Sequence, residues 1–358
     1  MNFALDDDQQ MIVETVRRFA ERDLRGWAAD ADRAGTPPDR LAQVGSELGF
    51  FTDAVPADAG GQLDGAYSHA ARALRGFELG RGCAGLAALL ETNVEPALAV
   101  GRWGTAAAQT ALFASLTAGG LAALAHDSRG TLAIEDDGAG GARISGTLGP
   151  LPGLAIARHV LLAKDGALYL LDLAGVAREA FAPSSWRAAR WATAQLTAHA
   201  VAVDHVVSRD PAAVAEVLAW VRTSLAARAA GVATAAMEYA ERYAAERVQF
   251  GQPIGRFESL IRLRDDALTG AAAARLMALH AAWALDAHER FAHDAASRAR
   301  VLAGDVVARA TVDAVQIFGG YGFVNDYPVE KLMRDARPFE ALHGDERLGR
   351  VLAQKAAI

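Results

Sequence analysis

The stretch AERVQFGQPIGRFESLIRLRDDAL, residues 245–268, decides the reading of this chain. Arg247 offers a planar fork of donors suited to a phosphate or a nucleotide edge. Phe250, three residues on, presents a stacking face just before a Gly-Gln-Pro turn. A second stretch, DAVQIFGGYGFVNDYPVEKLMRDAR, residues 313–337, carries Gly319, Gly320 and Gly322, where a backbone can approach a bulky ligand closely. Gln316, one turn earlier, can both donate and accept. Taken residue by residue, these groups would serve a helix end or simple packing as readily as a cofactor.

The rest of the chain supplies the frame. With 358 residues and 52% hydrophobic content it can bury substantial cores and is not generally disordered. A net charge of −7, without any Lys/Arg tract, gives no electrostatic footprint for nucleic acid. Lysine occurs only at Lys164, Lys331 and Lys355, a bias we read with the alanine excess as genomic composition. The single cysteine, Cys83, excludes an intrachain disulfide and a cysteine-based zinc site, and is expected to be a buried structural thiol. The acidic start MNFALDDDQQ lacks the flank of a signal peptide, and no uninterrupted apolar run approaches the roughly 20 residues of a membrane span. These features predict a cytoplasmic protein with no membrane segment. His288 and His293 are not on one helix face, so no metal site is expected, and neither Ser128 nor Cys83 sits in a nucleophile motif.

Three blocks follow one another. Residues 1–118 read as an N-terminal helical domain, with Asp6 capping a helix whose Ile12, Val13, Val16, Phe19 and Leu24 recur at helical spacing. Further helices are expected near 41–51, 66–82, 84–101 and after Thr105, with VPADAGGQLDG (55–65) as a loop. Residues 119–207 carry short runs such as TLAIE, RHVLLA and ALYLLDL between Gly, Asp and Pro clusters, the pattern of a middle antiparallel β domain. Within it ISGTLGPLPG cannot be an ordinary strand at its centre. Residues 208–358 return to long alanine-rich helices, at 211–245, 257–289, 295–317, 328–336 and 345–357, whose apolar positions are too many for single exposed stripes. They predict a C-terminal helical bundle with buried subunit contacts. The fold class is mostly α with a central β domain.

Together, the two quoted stretches closely resemble the flavin-dependent acyl-CoA dehydrogenase family, and the block order matches its helical, barrel-like β and four-helix domains. That resemblance implies that Arg247, Phe250, Gln316, Gly319 and Gly320 contact the adenosine-diphosphate half of an FAD whose flavin ring sits in a neighbouring subunit. It places Arg222 at a family arginine beside the active site, and it implies an acyl-CoA substrate and a flavoprotein electron acceptor. The family removes the α-proton of an acyl thioester with a base and passes the β-hydrogen to flavin as hydride.

The base is where this chain departs from the family. The usual glutamate, in a segment of the form Tyr-Glu-Gly-Thr, falls on His343, followed by Gly344 and Asp345. The alternative family position, immediately before Arg222, holds Val221. Glu340 lies a turn upstream and Glu346 begins the last expected helix. A neutral imidazole can accept a proton, so His343 stands as a candidate base beside the plainer reading of a pocket-lining histidine. The flavin-facing segment is also altered: AHDSRGT (125–131) stands where the family has Thr-Glu-Pro-x-x-Gly-Ser-Asp, and Pro150 and Pro152 stand at an aromatic and a threonine that meet the flavin ring. Proline offers neither N–H nor hydroxyl there.

Residues for a neighbour's FAD are thus kept, while those for this chain's own ring and base are changed. This resembles the base-lacking subunit of the heteromeric acyl-CoA dehydrogenases, heterotetramers found in bacterial breakdown of fatty and bulky acyl-CoA substrates, steroid side chains among them. The leading expectation is an oxidoreductase that needs a homologous partner subunit. Two alternatives are a self-sufficient flavoenzyme using His343 or acting on another acyl thioester reaction, and a flavin-free binding or scaffold protein with the same fold.

Overall fold

The computed structural model describes residues 4–343. Asp6 does cap the first helix, α1 (Asp7–Phe19): its side chain accepts from the Gln9 amide while the Gln9 side chain accepts from its own. The helix runs on through a π turn at Ala20–Leu24 into α2 (Arg25–Ala34), which ends at Gly35 in the left-handed region. α3 (Arg40–Glu47), α4 (His69–Gly82), α5 (Ala84–Leu90), α6 (Val94–Trp103) and α7 (Ala106–Thr117) complete the first block. The single helix expected over 84–101 is broken at Glu91–Asn93. The Asn93 amide fixes that turn from outside, donating to the Phe51 carbonyl and accepting from the Ala122 N–H.

The strands are β1 (Ala122–His126), β2 (Leu132–Asp136), β3 (Ala142–Leu151), β4 (His159–Lys164), β5 (Ala167–Asp172), β6 (Arg178–Ala180), β7 (Ala192–Val201) and β8 (Val206–Ser208). They form two four-stranded sheets, ordered β1-β4-β5-β8 and β2-β3-β7-β6. Their pairing is antiparallel except that β1 lies parallel to β4, because the chain between them crosses to the other sheet to build β2 and β3. The first sheet is buried on both faces. Val160 and Leu162 of β4 point into the core between the sheets, whereas Leu161 and Ala163 join the helical core. That is why its strands read as unbroken apolar runs, while β2 and β7 of the second sheet alternate with exposed residues. The ISGTLGPLPG segment lies largely in β3, which is irregular there, with register shifts between Ile144 and Gly146 and between Leu148 and Leu151.

The last block is built around α8 (Pro211–Glu246), a short hairpin of β9 (Val248–Gln249) and β10 (Gln252–Pro253), α9 (Glu258–Asp286) and α10 (Ala292–Phe318). α11 (Val329–Asp335) and α12 (Pro338–Ala341) lead to His343. The expected helix over 345–357 lies outside the described residues. α9 is long and apolar enough by composition to cross a membrane, a run missed by reading only uninterrupted apolar stretches. Its Ala267, Ala271, Ala274 and Ala278 are buried in the helical core.

Small residues let α4 and α8 cross almost backbone to backbone. A Cβ on Gly80 would stand 2.3 Å from the Arg228 carbonyl oxygen, and one on Gly231 would stand 2.1 Å from that of Phe77. This close crossing carries the polar side chains of both helices into the same interior space. Elsewhere Cys83 is buried and meets the Lys331 ammonium at 3.5 Å, and Lys331 pairs with the buried Asp335.

Candidate active-site cavity and cofactor surface

α12 delivers His343 at its end, with φ at +57, and β1 holds it there. The His126 Nδ1–H donates to the His343 carbonyl oxygen at 3.1 Å. The imidazole of His343 reaches a small cavity of about 40 Å3, whose other lining includes Val221 and Arg228 of α8, Glu91, Glu95 and Pro152. The two positions at which the resemblance places a base therefore face one space, and neither supplies a carboxylate. His343 Nδ1 has no hydrogen-bond partner among the described residues. Burial, reinforced by the positive charges around it, lowers its pKa to about 3, so the ring is neutral at physiological pH and a weak base. Gly344, Asp345 and Glu346 lie outside the described residues; Glu340 is half-buried and pairs with Arg337.

Carboxylates do line the cavity, but they are already engaged. Glu91 accepts from Arg75 Nε at 3.1 Å and from the Ser224 hydroxyl at 3.1 Å, and lies 3.6 Å from Arg228 Nε. Burial works against its charge, yet the Arg75, Arg72 and Arg228 guanidinium groups prevail and hold its pKa below the ordinary value. Glu95 pairs with Arg72 at 2.8 Å, both fully interior. Arg75 also meets Asp53, to which the Tyr67 hydroxyl donates at 3.3 Å. None of Asp53, Arg72, Arg75, Glu91, Glu95 and Arg228 was singled out from the sequence. The available signal was charge placed inside apolar helices: Arg72 and Arg75 three apart, and Glu91 and Glu95 four apart.

Arg222 is half-buried on α8 with no carboxylate at ion-pair distance among the described residues. Burial lowers its pKa, and its charge acts on both His126 and His343. A neighbouring cleft of about 180 Å3 is lined by 126–129, Thr131, 148–151, Trp191 and His343. Pro150 lines this cleft and Pro152 the smaller cavity, so the two prolines serve different spaces. Polar groups in the cleft are largely consumed: the Asp127 carboxylate accepts from Thr131, Leu132 and Lys164.

The remaining candidates assemble far from this interior, at the open end of the bundle. Arg247 is exposed with its guanidinium 5.6 Å from the Tyr321 ring centroid. Phe250 is 94% exposed, held at φ +52 between β9 and β10. Gln316, Gly319 and Gly320 are exposed, and a Cβ on either glycine would meet nothing within 4 Å. Gly322 differs: it is buried, and a Cβ there would lie 2.6 Å from the Val315 carbonyl, so its role is packing. An uncovered aromatic, a guanidinium and open backbone are the groups that a nucleotide with its phosphates needs.

A helical, β and helical order, with a small cavity lined by Val221 and His343 and an exposed Arg247–Phe250 surface at the end of α8, leaves the family of the chain open. Comparison with known proteins specifies it. The acyl-CoA dehydrogenase N-terminal domain family matches residues 6–120 and the acyl-CoA dehydrogenase C-terminal domain family residues 212–357. Benzylmalonyl-CoA dehydrogenase of Aromatoleum aromaticum is 30% identical, over 94% of each chain. An acyl-CoA dehydrogenase of Bacillus subtilis is 43% identical over a local match spanning 37% of this chain and 35% of its own. The solved butyryl-CoA dehydrogenase of Megasphaera elsdenii superposes with a TM-score of 0.88 at 25% identity, covering 100% of both chains. The chain belongs to the acyl-CoA dehydrogenase family, whose cofactor is FAD.

Proposed function

We propose that this chain is the base-lacking subunit of a heteromeric acyl-CoA dehydrogenase, working in the cytoplasm with a homologous subunit that carries the catalytic glutamate. The complex oxidises an acyl-CoA to its 2-enoyl-CoA and passes electrons to a flavoprotein acceptor. Bound FAD supplies the hydride acceptor for the β-hydrogen. This chain's Arg247, Phe250, Gln316, Gly319 and Gly320 hold the distal half of the partner's cofactor, and Arg222 contributes positive charge beside its own cavity.

One observation carries this reading: Val221 and His343 line the same cavity, and each carboxylate among its described residues is tied to arginine. A base must accept a proton near operating pH. His343, with its pKa lowered to about 3, and the paired Glu91 are both poorly suited to do so. This weighs against a self-sufficient enzyme using His343. The exposed Arg247, Val248, Phe250, Tyr321 and Phe323 weigh against a scaffold without flavin, since an aromatic and a guanidinium left uncovered together suit a nucleotide.

The test is turnover with an artificial electron acceptor. The chain alone is expected to show none with butanoyl- or octanoyl-CoA. Co-expression with a homologue that has an intact Glu-Gly motif should produce it, and replacing the homologue's glutamate by glutamine should abolish it. Turnover by this chain alone, lost on His343→Ala, would overturn the proposal in favour of the self-sufficient reading.

A further inference from the structure

The cavity between Val221 and His343 is where the reacting carbons of an acyl group would have to lie for either family base position to reach them. Beyond that point the interior holds charge. Arg72 and Glu95, Arg75 with Asp53 and Glu91, and Arg228 beside Glu91 put three cations and three anions there. About 40 Å3 remains, room for one or two waters. Two lining atoms, Arg228 Nε and His343 Nδ1, have no hydrogen-bond partner among the described residues. A methylene chain placed there would leave both atoms uncompensated and would lie against the charges of Glu91, Glu95 and Arg228.

We infer that this chain's own chamber takes ordered water and excludes acyl groups, its acyl-binding volume being filled by the buried ionic cluster. Water can accept from the Arg228 Nε–H and can meet His343 Nδ1 in either tautomer within a small space. The cluster draws on the α3–α4 connection, α4, the α5–α6 turn, α6 and α8, and the close backbone contact at Gly80 and Gly231 holds α4 against α8. In a heteromer, only the partner's chamber would then load substrate. The inference rests on the proposed function only in placing the reacting carbons between residues 221 and 343.

Isothermal titration of the full-length protein with CoA, butanoyl-CoA and octanoyl-CoA tests it. Four further methylenes buried in an apolar chamber would tighten binding about two hundredfold. For this chain purified alone we expect CoA, butanoyl-CoA and octanoyl-CoA to bind within about twofold of one another, or none to bind. If it purifies with a partner, one acyl-CoA per pair of chains is expected. A tenfold or greater gain from butanoyl- to octanoyl-CoA in the chain alone, or one acyl-CoA bound per chain in the complex, overturns the inference. Arg72→Ala combined with Glu95→Ala, which empties volume without leaving a lone charge, should introduce chain-length dependence. Should that variant fail to fold, the wild-type series decides by itself. Flavin content is a separate readout: one FAD per chain would count against the heteromeric reading and leave the chain-length result intact.

Discussion

The His126 imidazole holds the backbone of His343, its Nδ1–H donating to the carbonyl oxygen at 3.1 Å, and this bond ties the end of the described chain to β1. The bond fixes the His126 tautomer, because only an N–H can approach a carbonyl oxygen in this way. It leaves the His343 ring inside the cavity, desolvated and ringed by His126, Arg300, Arg228 and Arg222. A ring so placed fills space and stays neutral; it does not collect protons.

His343→Gln should therefore change kcat of the active complex by less than about threefold, since the substitution removes no proton acceptor that turnover uses. The pH–rate profile between pH 5 and 9 should be superimposable with that of the wild type. A fall of a hundredfold or more, or loss of an ionisation from the profile, would assign His343 a direct part in catalysis.

Acid should destabilise the protein through half-buried His69. His69, lodged between the Tyr67 and Trp220 rings, has its pKa lowered to about 3 by burial and then by the Arg72 charge. The unfolded chain binds that proton near the ordinary histidine value of about 6.5. The folded pKa is the lower one, so the stabilisation is complete above about pH 6.5 and is lost as pH falls toward 3. At pH 5 the loss is about 2 kcal/mol for His69. In His69→Phe, which keeps the ring contacts, the drop in unfolding free energy between pH 7 and 5 should shrink by about that amount, measured by urea titration at both values.

Glu91→Ala should be severely destabilising. It strips Arg75 and Arg228 of their shared carboxylate and leaves buried charge uncompensated, a change that costs about 3–5 kcal/mol. Glu258→Ala, at an exposed pair with Arg262, is the control and should shift stability by less than about 1 kcal/mol. Chemical denaturation of both variants compares them directly.

Flavin retention reports on the other surface. Arg247→Ala removes a charge-assisted contact worth about 1.5–3 kcal/mol, so FAD should dissociate from the complex with a Kd raised about ten- to a hundredfold. Melting of the subunit should be unaffected, because the side chain is exposed. Fluorescence of released flavin during dilution measures the first, and calorimetry the second.

Much of this was legible in the sequence for physical reasons, and the omissions have physical reasons too. The α1 cap was visible because Asp6 and Gln9 act within one turn. Long helices such as α8 announced themselves through dense apolar periodicity. The parallel pairing of β1 with β4 was not readable, because the choice of neighbour depends on where the intervening strands pack. The break between α5 and α6 was hidden because the Asn93 bonds that stabilise it go to Phe51 and Ala122, distant in sequence. Position 343 was found by register against the Arg-Asp-Ala-Arg stretch, yet what surrounds it was not. Glu91 meets Ser224 across 133 residues, and only the close α4–α8 crossing makes such partners neighbours.

The central claim is that this chain completes a partner's flavin site and has no working site of its own. Flavin stoichiometry of the purified assembly tests it most directly. Native mass spectrometry with an absorbance count of bound FAD should give a heteromer with a homologous chain and about one FAD per pair of subunits. A homotetramer of this chain alone, carrying one FAD per chain and reduced by acyl-CoA, would contradict it.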